Sequence, residues 1–137
     1  MINSRKLEDL HPKVEGMCRA FISACNKEGI DVIITSTYRD KESQDALYSQ
    51  GRASPGKKVT NAKGGQSFHN YKVAFDFVPI VNGKAQWNDL KLFKRCGDIG
   101  KSLGLEWAGD WKSFKELAHF QFTNNLTLKD FQSGKTF

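Results

Sequence analysis

Histidine is scarce in this 137-residue chain: it occurs only at positions 11, 69 and 119, and no HExxH pair is among them. That excludes the helical signature of one large class of zinc proteases. The three cysteines, Cys18, Cys25 and Cys96, form no CxxC spacing and leave an odd count. A full disulfide framework is therefore excluded, and reduced core thiols in a reducing compartment are expected. No apolar run approaches the roughly 18 residues needed to cross a bilayer, so stable membrane insertion is not expected. The opening residues, MINSRKLEDLHPK, lack the apolar core of a secretory signal. Acidic residues are outnumbered, 15 against 21 basic, for a net charge of +6. Such a surface favours anionic partners, whether nucleic acid, acidic membrane or cell-wall polymer, without choosing among them.

What is present is one domain's worth of patterned chain, with no repeat and no linker across residues 1–137. Residues 12–28 read as a helix: Pro12 suits its first turn, and Val14, Met17, Cys18, Phe21 and Cys25 form an apolar stripe. Residues 30–37, IDVIITST, read as a strand. Asp40 can cap a helix over 41–50, with Ala46 and Leu47 expected inward. The pattern then lapses over 51–68, a loop with glycines at 51, 56, 64 and 65 and basic residues at 52, 57, 58 and 63. A structureless stretch of that length usually serves a function or is mobile. Residues 72–81 alternate as a strand, setting Asp76 on the face opposite Phe75 and Phe77. Asn82-Gly83 signals a hairpin. Trp87 to Leu103 reads as a second long helix, with Leu90, Phe93, Cys96, Gly97, Gly100 and Leu103 on one face and glycines that permit close packing. Short strands are expected at 105–107 and 119–122. Thr127 and Asp130 offer a capping box for a last short helix. This order predicts a small α+β domain, helices packed on a mostly antiparallel central sheet.

The polar residues set into these elements carry the chemistry. His11, just before Pro12, reads as a helix cap. His69 closes the long loop, and Asp76 sits inside an apolar strand, where a carboxylate needs hydrogen bonds, a basic residue or a metal. In FKELAHFQF, His119 and Gln121 alternate with Phe120 and Phe122, and Glu116 precedes His119 by three. Two histidines and one aspartate can hold zinc and leave a fourth position for water, whose pKa the metal lowers toward about 7. Glu116 would then be free to act as base, and Arg39, just past the first strand, to steady an oxyanion. The plainer reading is a structural aspartate and a satisfied core histidine. HxxxxxxD and ExxH are too common to decide between the two.

Three segments in order tip the balance. STYRDKESQDALYSQGR, SFHNYKVAFD and WAGDWKSFKELAHF resemble the motifs of the VanY-like (M15) zinc peptidases, in particular the phage-endolysin branch of L-alanyl-D-glutamate endopeptidases. The resemblance spans about residues 30–122. It implies a small α+β catalytic domain with Zn2+ held by His69, Asp76 and His119. It further implies Glu116 as general base, Arg39 as the carbonyl-polarising group, Ser67 as a hydrogen-bonding neighbour, and Asp110 and Trp111 as residues that shape the cleft or support the second motif. The motif glycine is Lys72 here. Glu116 stands where that branch often has aspartate, and Ala118 where proline is common.

The resemblance implies peptidoglycan stem peptides as substrate. The expected reaction is hydrolysis of the L-alanyl-D-glutamate bond; a D-alanyl-D-alanine carboxypeptidase is the alternative on the same scaffold. It also implies a monomeric, antimicrobial endolysin of a bacteriophage. Such an enzyme waits in the host cytoplasm, is released by a holin or similar permeabilising partner, and acts on the wall in the periplasm. Arg52, Lys57, Lys58 and Lys63 could favour the acidic substrate, or form an ordinary solvated loop. A basic nucleic-acid-binding module is the alternative of another class. It leaves His69, Asp76, Glu116 and His119 unexplained, so no nucleic-acid partner is expected.

Overall fold

The computed structural model describes residues 1–137. Helix α1 (Pro12–Lys27) starts where His11 caps it, the ring accepting from Lys13 N–H, and it buries Val14, Met17, Cys18, Phe21 and Cys25. Strand β1 (Asp31–Ser36) follows, then α2 (Lys41–Ser49), capped by Asp40, whose side chain accepts from Ser43 N–H. The long loop ends in a single 3-10 turn, Phe68–Tyr71, before β2 (Ala74–Val81). A tight turn at Asn82-Gly83, with φ of 52° and 76°, leads into β3 (Lys84–Ala85), as the hairpin signal predicts. Next come α3 (Leu90–Ser102), β4 (Glu106–Trp107), β5 (His119–Gln121) and α4 (Leu128–Gln132). The reciprocal Thr127–Asp130 capping box opens α4.

The strands form one antiparallel sheet in the order β1-β2-β5-β4, with β3 paired to the end of β2. The expected α+β architecture is therefore the one observed. Alternation on β2 sends Phe75 and Phe77 to the helical side, where they meet Phe21 of α1 and Phe120 of β5. Phe77 and Phe120 stack with ring centroids 5.1 Å apart, and Phe21 meets Phe120 edge-on at 4.8 Å. Helix α3 packs close to the sheet because it is bare at two points. A Cβ at Gly97 would overlap the Trp107 ring, and one at Gly100 would overlap Phe120. All three cysteines are buried and unpaired.

Two expectations fail locally. Leu90 is 66% exposed, because α3 begins there, one turn later than the periodicity suggests. In α2 the buried residues are Ser43 and Gln44, while Ala46 faces solvent. That short helix turns its inner side toward a polar cleft and not toward the aromatic core.

Candidate active site

The register of the sheet assembles the site. Asp76 pairs with Ser36 of β1 on one side and with His119 of β5 on the other, so three polar residues stand in a row across three strands. A break in the β1–β2 register between Ile34 and Ser36 sits at the edge of this row. Such irregularities often re-aim a side chain near a functional centre. His69 reaches the row from the 3-10 turn. Ser67 caps that turn, its hydroxyl accepting from His69 N–H at 3.3 Å, and Asn70 donates from Nδ2 to the Arg39 carbonyl at 2.9 Å.

One donor atom each from His69, Asp76 and His119 lies within 4.8 Å of the other two. Hydrogen bonds on the far side of each ring decide which nitrogen faces inward. His69 Nδ1 lies 2.9 Å from the Thr37 carbonyl oxygen, which can only accept, so Nδ1 carries the proton and Nε2 presents a lone pair. His119 Nε2 likewise donates to Gln121 Oε1 at 2.9 Å, leaving Nδ1 free. Both free nitrogens point at the same oxygen, Asp76 Oδ1, each at 3.2 Å. Electron-rich atoms so placed repel one another unless a cation or a proton lies among them. Two imidazole nitrogens and a carboxylate oxygen, with an outer hydrogen bond on each ring, are a donor set that fits zinc.

Around this centre the charges are mixed. Burial alone would raise the Asp76 carboxyl, but the His69 and His119 rings outweigh it and hold the group well below the usual carboxylate range. Burial works against the His119 imidazolium, yet Asp76 and Glu116 overcome it and raise its pKa. Burial lowers the Arg39 guanidinium, Asp76 and Glu116 oppose that shift, and the group remains a cation. Arg39 is anchored by Nη1 donating to Gln44 Oε1 at 2.9 Å and Nη2 donating to Ser36 Oγ at 3.1 Å, with Asp76 Oδ2 at 3.9 Å. Gln44 is buried, and its Nε2 donates to the Ala62 carbonyl at 2.8 Å, which ties the arginine to the long loop. Glu116 Oε2 lies 3.5 Å from His119 Nδ1, with its side chain half exposed to the cleft.

These groups line a cleft of about 540 Å³. Asp76 and His119 of the row form its floor, with Ser36 behind them holding Arg39. Arg39, Gln44, Thr60, Trp111 and Glu116 complete its lining. A hollow of similar size against α1, near Arg19 and Lys27, brings no histidine or acid together. The structure thus gathers His69, Asp76, His119, Glu116, Arg39 and Ser67 in one place. Trp111 lines the cleft, its ring 5.7 Å from His119 and its Nε1 donating to Glu106 at 2.8 Å. Asp110 does not line it. Its carboxylate pairs with Lys101 of α3 at 2.8 Å and so pins the turn that carries Trp111. Of the basic loop residues, Arg52 lies 3.9 Å over the Tyr48 ring and donates to the Tyr48 and Thr60 carbonyls, closing the loop on itself. Gln44, Gln121 and the Thr37 carbonyl were not singled out from the sequence. The only signal for Gln44 was its place on the inner side of a short polar helix.

Comparison with known proteins agrees with the geometry. The family model described as D-alanyl-D-alanine carboxypeptidase matches residues 60–122, which hold both histidines, Asp76 and Glu116. The peptidoglycan L-alanyl-D-glutamate endopeptidase CwlK of Bacillus subtilis is 40% identical over 132 residues, covering 85% of this chain and 75% of CwlK. The L-alanyl-D-glutamate peptidase of Listeria phage A118 is 30% identical over 89% of this chain and 40% of its own length. In fold, the L-Ala D-Glu endopeptidase ChiX of Serratia marcescens superposes with a TM-score of 0.65 at 22% identity, over 92% of this chain and 86% of that one. With so much of CwlK shared in sequence, the chain belongs to the VanY-like (M15) peptidase family.

Proposed function

We propose that the protein is a zinc-dependent peptidoglycan endopeptidase that hydrolyses the L-alanyl-D-glutamate bond of stem peptides, with the catalytic domain spanning residues 1–137. The observation that carries the chemistry is the convergence of three metal-type donors beside a half-exposed carboxylate and a largely enclosed arginine. The choice of bond rests on CwlK and the phage relative, both named for it.

In this reading His69 Nε2, His119 Nδ1 and Asp76 hold the metal. When bound, zinc supplies a Lewis acid that makes water a nucleophile at neutral pH and polarises the scissile carbonyl. Glu116 takes the proton from the attacking water and delivers it to the departing amine; its half-exposed position lets it reach both. Arg39 offers fixed positive charge to the oxygen that becomes anionic as the carbonyl is attacked. Because Ser36 and Gln44 already hold its two terminal nitrogens, little reorganisation is needed during the reaction. Thr37 and Gln121 fix the ring tautomers, Ser67 holds the turn that presents His69, Trp111 walls the cleft, and Asp110 secures the Trp111 turn.

The phage relative supports a further reading of biological setting. The enzyme acts as a monomeric, antimicrobial endolysin, held in the host cytoplasm until a holin-like partner opens the way to the periplasmic wall. Mass analysis of muropeptides after digestion tests the central claim. A split between L-alanine and D-glutamate, lost with chelator and restored by zinc, is expected. Release of terminal D-alanine alone would replace it with the carboxypeptidase reading that the family model's description suggests.

A further inference from the structure

Beside the catalytic cleft lies a second cavity of about 510 Å³. Val59, Thr60, Ala62, Trp111 and Glu116 line both, so the two spaces share a wall and Glu116 stands at their boundary. Whatever occupies the second cavity lies next to the proposed base. The residues that belong to it alone are different in kind. Lys58 enters from the long loop, and Lys115 from the segment just before β5. Neither lysine takes part in any ion pair of the molecule. Their neighbours on the loop are otherwise engaged: Arg52 and Lys63 both lie against the Tyr48 ring. Glu116 is the only acid in the lining.

Phe114 forms the edge of this annex. It is 73% exposed and has a φ of +54°, a left-handed conformation that a bulky side chain rarely adopts. The core does not require this, since the ring buries nothing there. Strained backbone that presents an exposed ring at the mouth of a cavity is characteristic of ligand contact.

The chemistry of the substrate supplies an occupant. A D-glutamyl residue joined through its nitrogen to alanine carries two carboxyl groups, and the peptide can continue through only one. The other is free, a few bonds from the scissile nitrogen. We propose that the annex is the subsite for that free carboxylate, with Lys58 and Lys115 as its counter-charges and Phe114 covering the aliphatic part of the same residue. This inference rests on the endopeptidase reading above. It makes the enzyme selective for stem peptides whose glutamyl carboxylate is free over those in which it is amidated.

Two synthetic peptides, N-acetyl-L-alanyl-D-glutamyl and N-acetyl-L-alanyl-D-isoglutaminyl, each extended by the same next residue, separate the possibilities. With zinc-loaded wild-type protein, kcat/KM is expected to favour the free carboxylate by about tenfold, the scale two exposed counter-charges supply, and the preference should shrink in high salt. In the double variant Lys58→Ala, Lys115→Ala the ratio should fall toward one through a higher KM for the carboxylate peptide, with the melting temperature held. A wild type that cuts both peptides equally, or a double variant that keeps the wild-type ratio, overturns the annex while leaving the endopeptidase reading in place. A wild type that cuts neither peptide overturns that reading, and this inference with it.

Discussion

The floor and the walls of the cleft are built by different means. The floor is a product of strand register: Ser36, Asp76 and His119 are neighbours because β1, β2 and β5 pair as they do, and the aromatic core below fixes that pairing. The walls are irregular chain held by single side chains. Gln44 and Arg52 secure the long loop, and Trp107 Nε1 donates to the Leu117 carbonyl at 2.8 Å to hold the segment bearing Glu116. Two of the three proposed metal ligands, Asp76 and His119, thus sit on the rigid part, and His69 joins them from the Ser67-capped 3-10 turn. The lining that the proposed substrate would meet belongs to the more adjustable part.

The largest test of that division compares one residue from each side. His119→Ala should abolish stoichiometric zinc binding in a metal titration. Glu116→Ala should keep the zinc and lose turnover by about 10²- to 10⁴-fold, the usual scale of general acid–base catalysis. If Glu116→Ala also released the metal, floor and wall would not be separable.

Next in size is the response to pH. His119 has its folded pKa raised above the ordinary 6.5. In metal-free protein that raised value contributes stability fully present below about 6.5 and lost as pH climbs through the folded pKa. In the proposed site zinc would compete for the same nitrogen, so its affinity should fall as pH drops through that value, by about tenfold per unit. Melting curves with and without zinc should therefore move in opposite directions across this window. Parallel movement would mean that His119 does not carry the proton the metal displaces.

A smaller effect belongs to the walls. Gln44→Ala frees Arg39 Nη1 and the Ala62 carbonyl at once. We expect kcat to fall about tenfold with zinc affinity intact, and stability to drop by about 1–2 kcal/mol for the lost buried hydrogen bonds. A fall in zinc affinity alone would place Gln44 with the floor.

The smallest concerns Lys72. It adopts φ of +66°, the left-handed region, where the related motif has glycine. The lysine therefore bears the strain of a position suited to glycine, with its Nζ 5.0 Å over the Tyr38 ring as partial compensation. Lys72→Gly should raise stability by up to about 1 kcal/mol, visible as a few degrees in the melting temperature. A lower melting temperature would show that the Tyr38 contact outweighs the strain.

What the sequence made legible was mostly floor. Strand alternation around Asp76, the Asn82-Gly83 turn, the α4 capping box and the bare face of α3 are local patterns, and each appears where periodicity puts it. The walls were less readable because their logic is long-range. Nothing near Gln44 announces a partner at Ala62, eighteen residues on. Ala46 was misplaced for the same reason. An apolar residue on a short helix points inward only if the neighbouring layer is apolar, and here it is a polar cleft. Asp110 was expected to shape the cleft or support the second motif, and nothing near it in the chain announces its partner Lys101, nine residues earlier on another element.

The alternation along β2 and β5 has one more consequence. Phe75 and Phe77 flank Asp76, and Phe120 follows His119, so each of these three fully buried rings is the immediate neighbour of a proposed metal ligand. Repacking any of these rings to harden the enzyme would tilt a donor by the same movement. Efforts to improve shelf life or heat tolerance are better spent on the outward face of α1, and on that of α3 only away from Lys101, whose pairing with Asp110 holds the Trp111 turn.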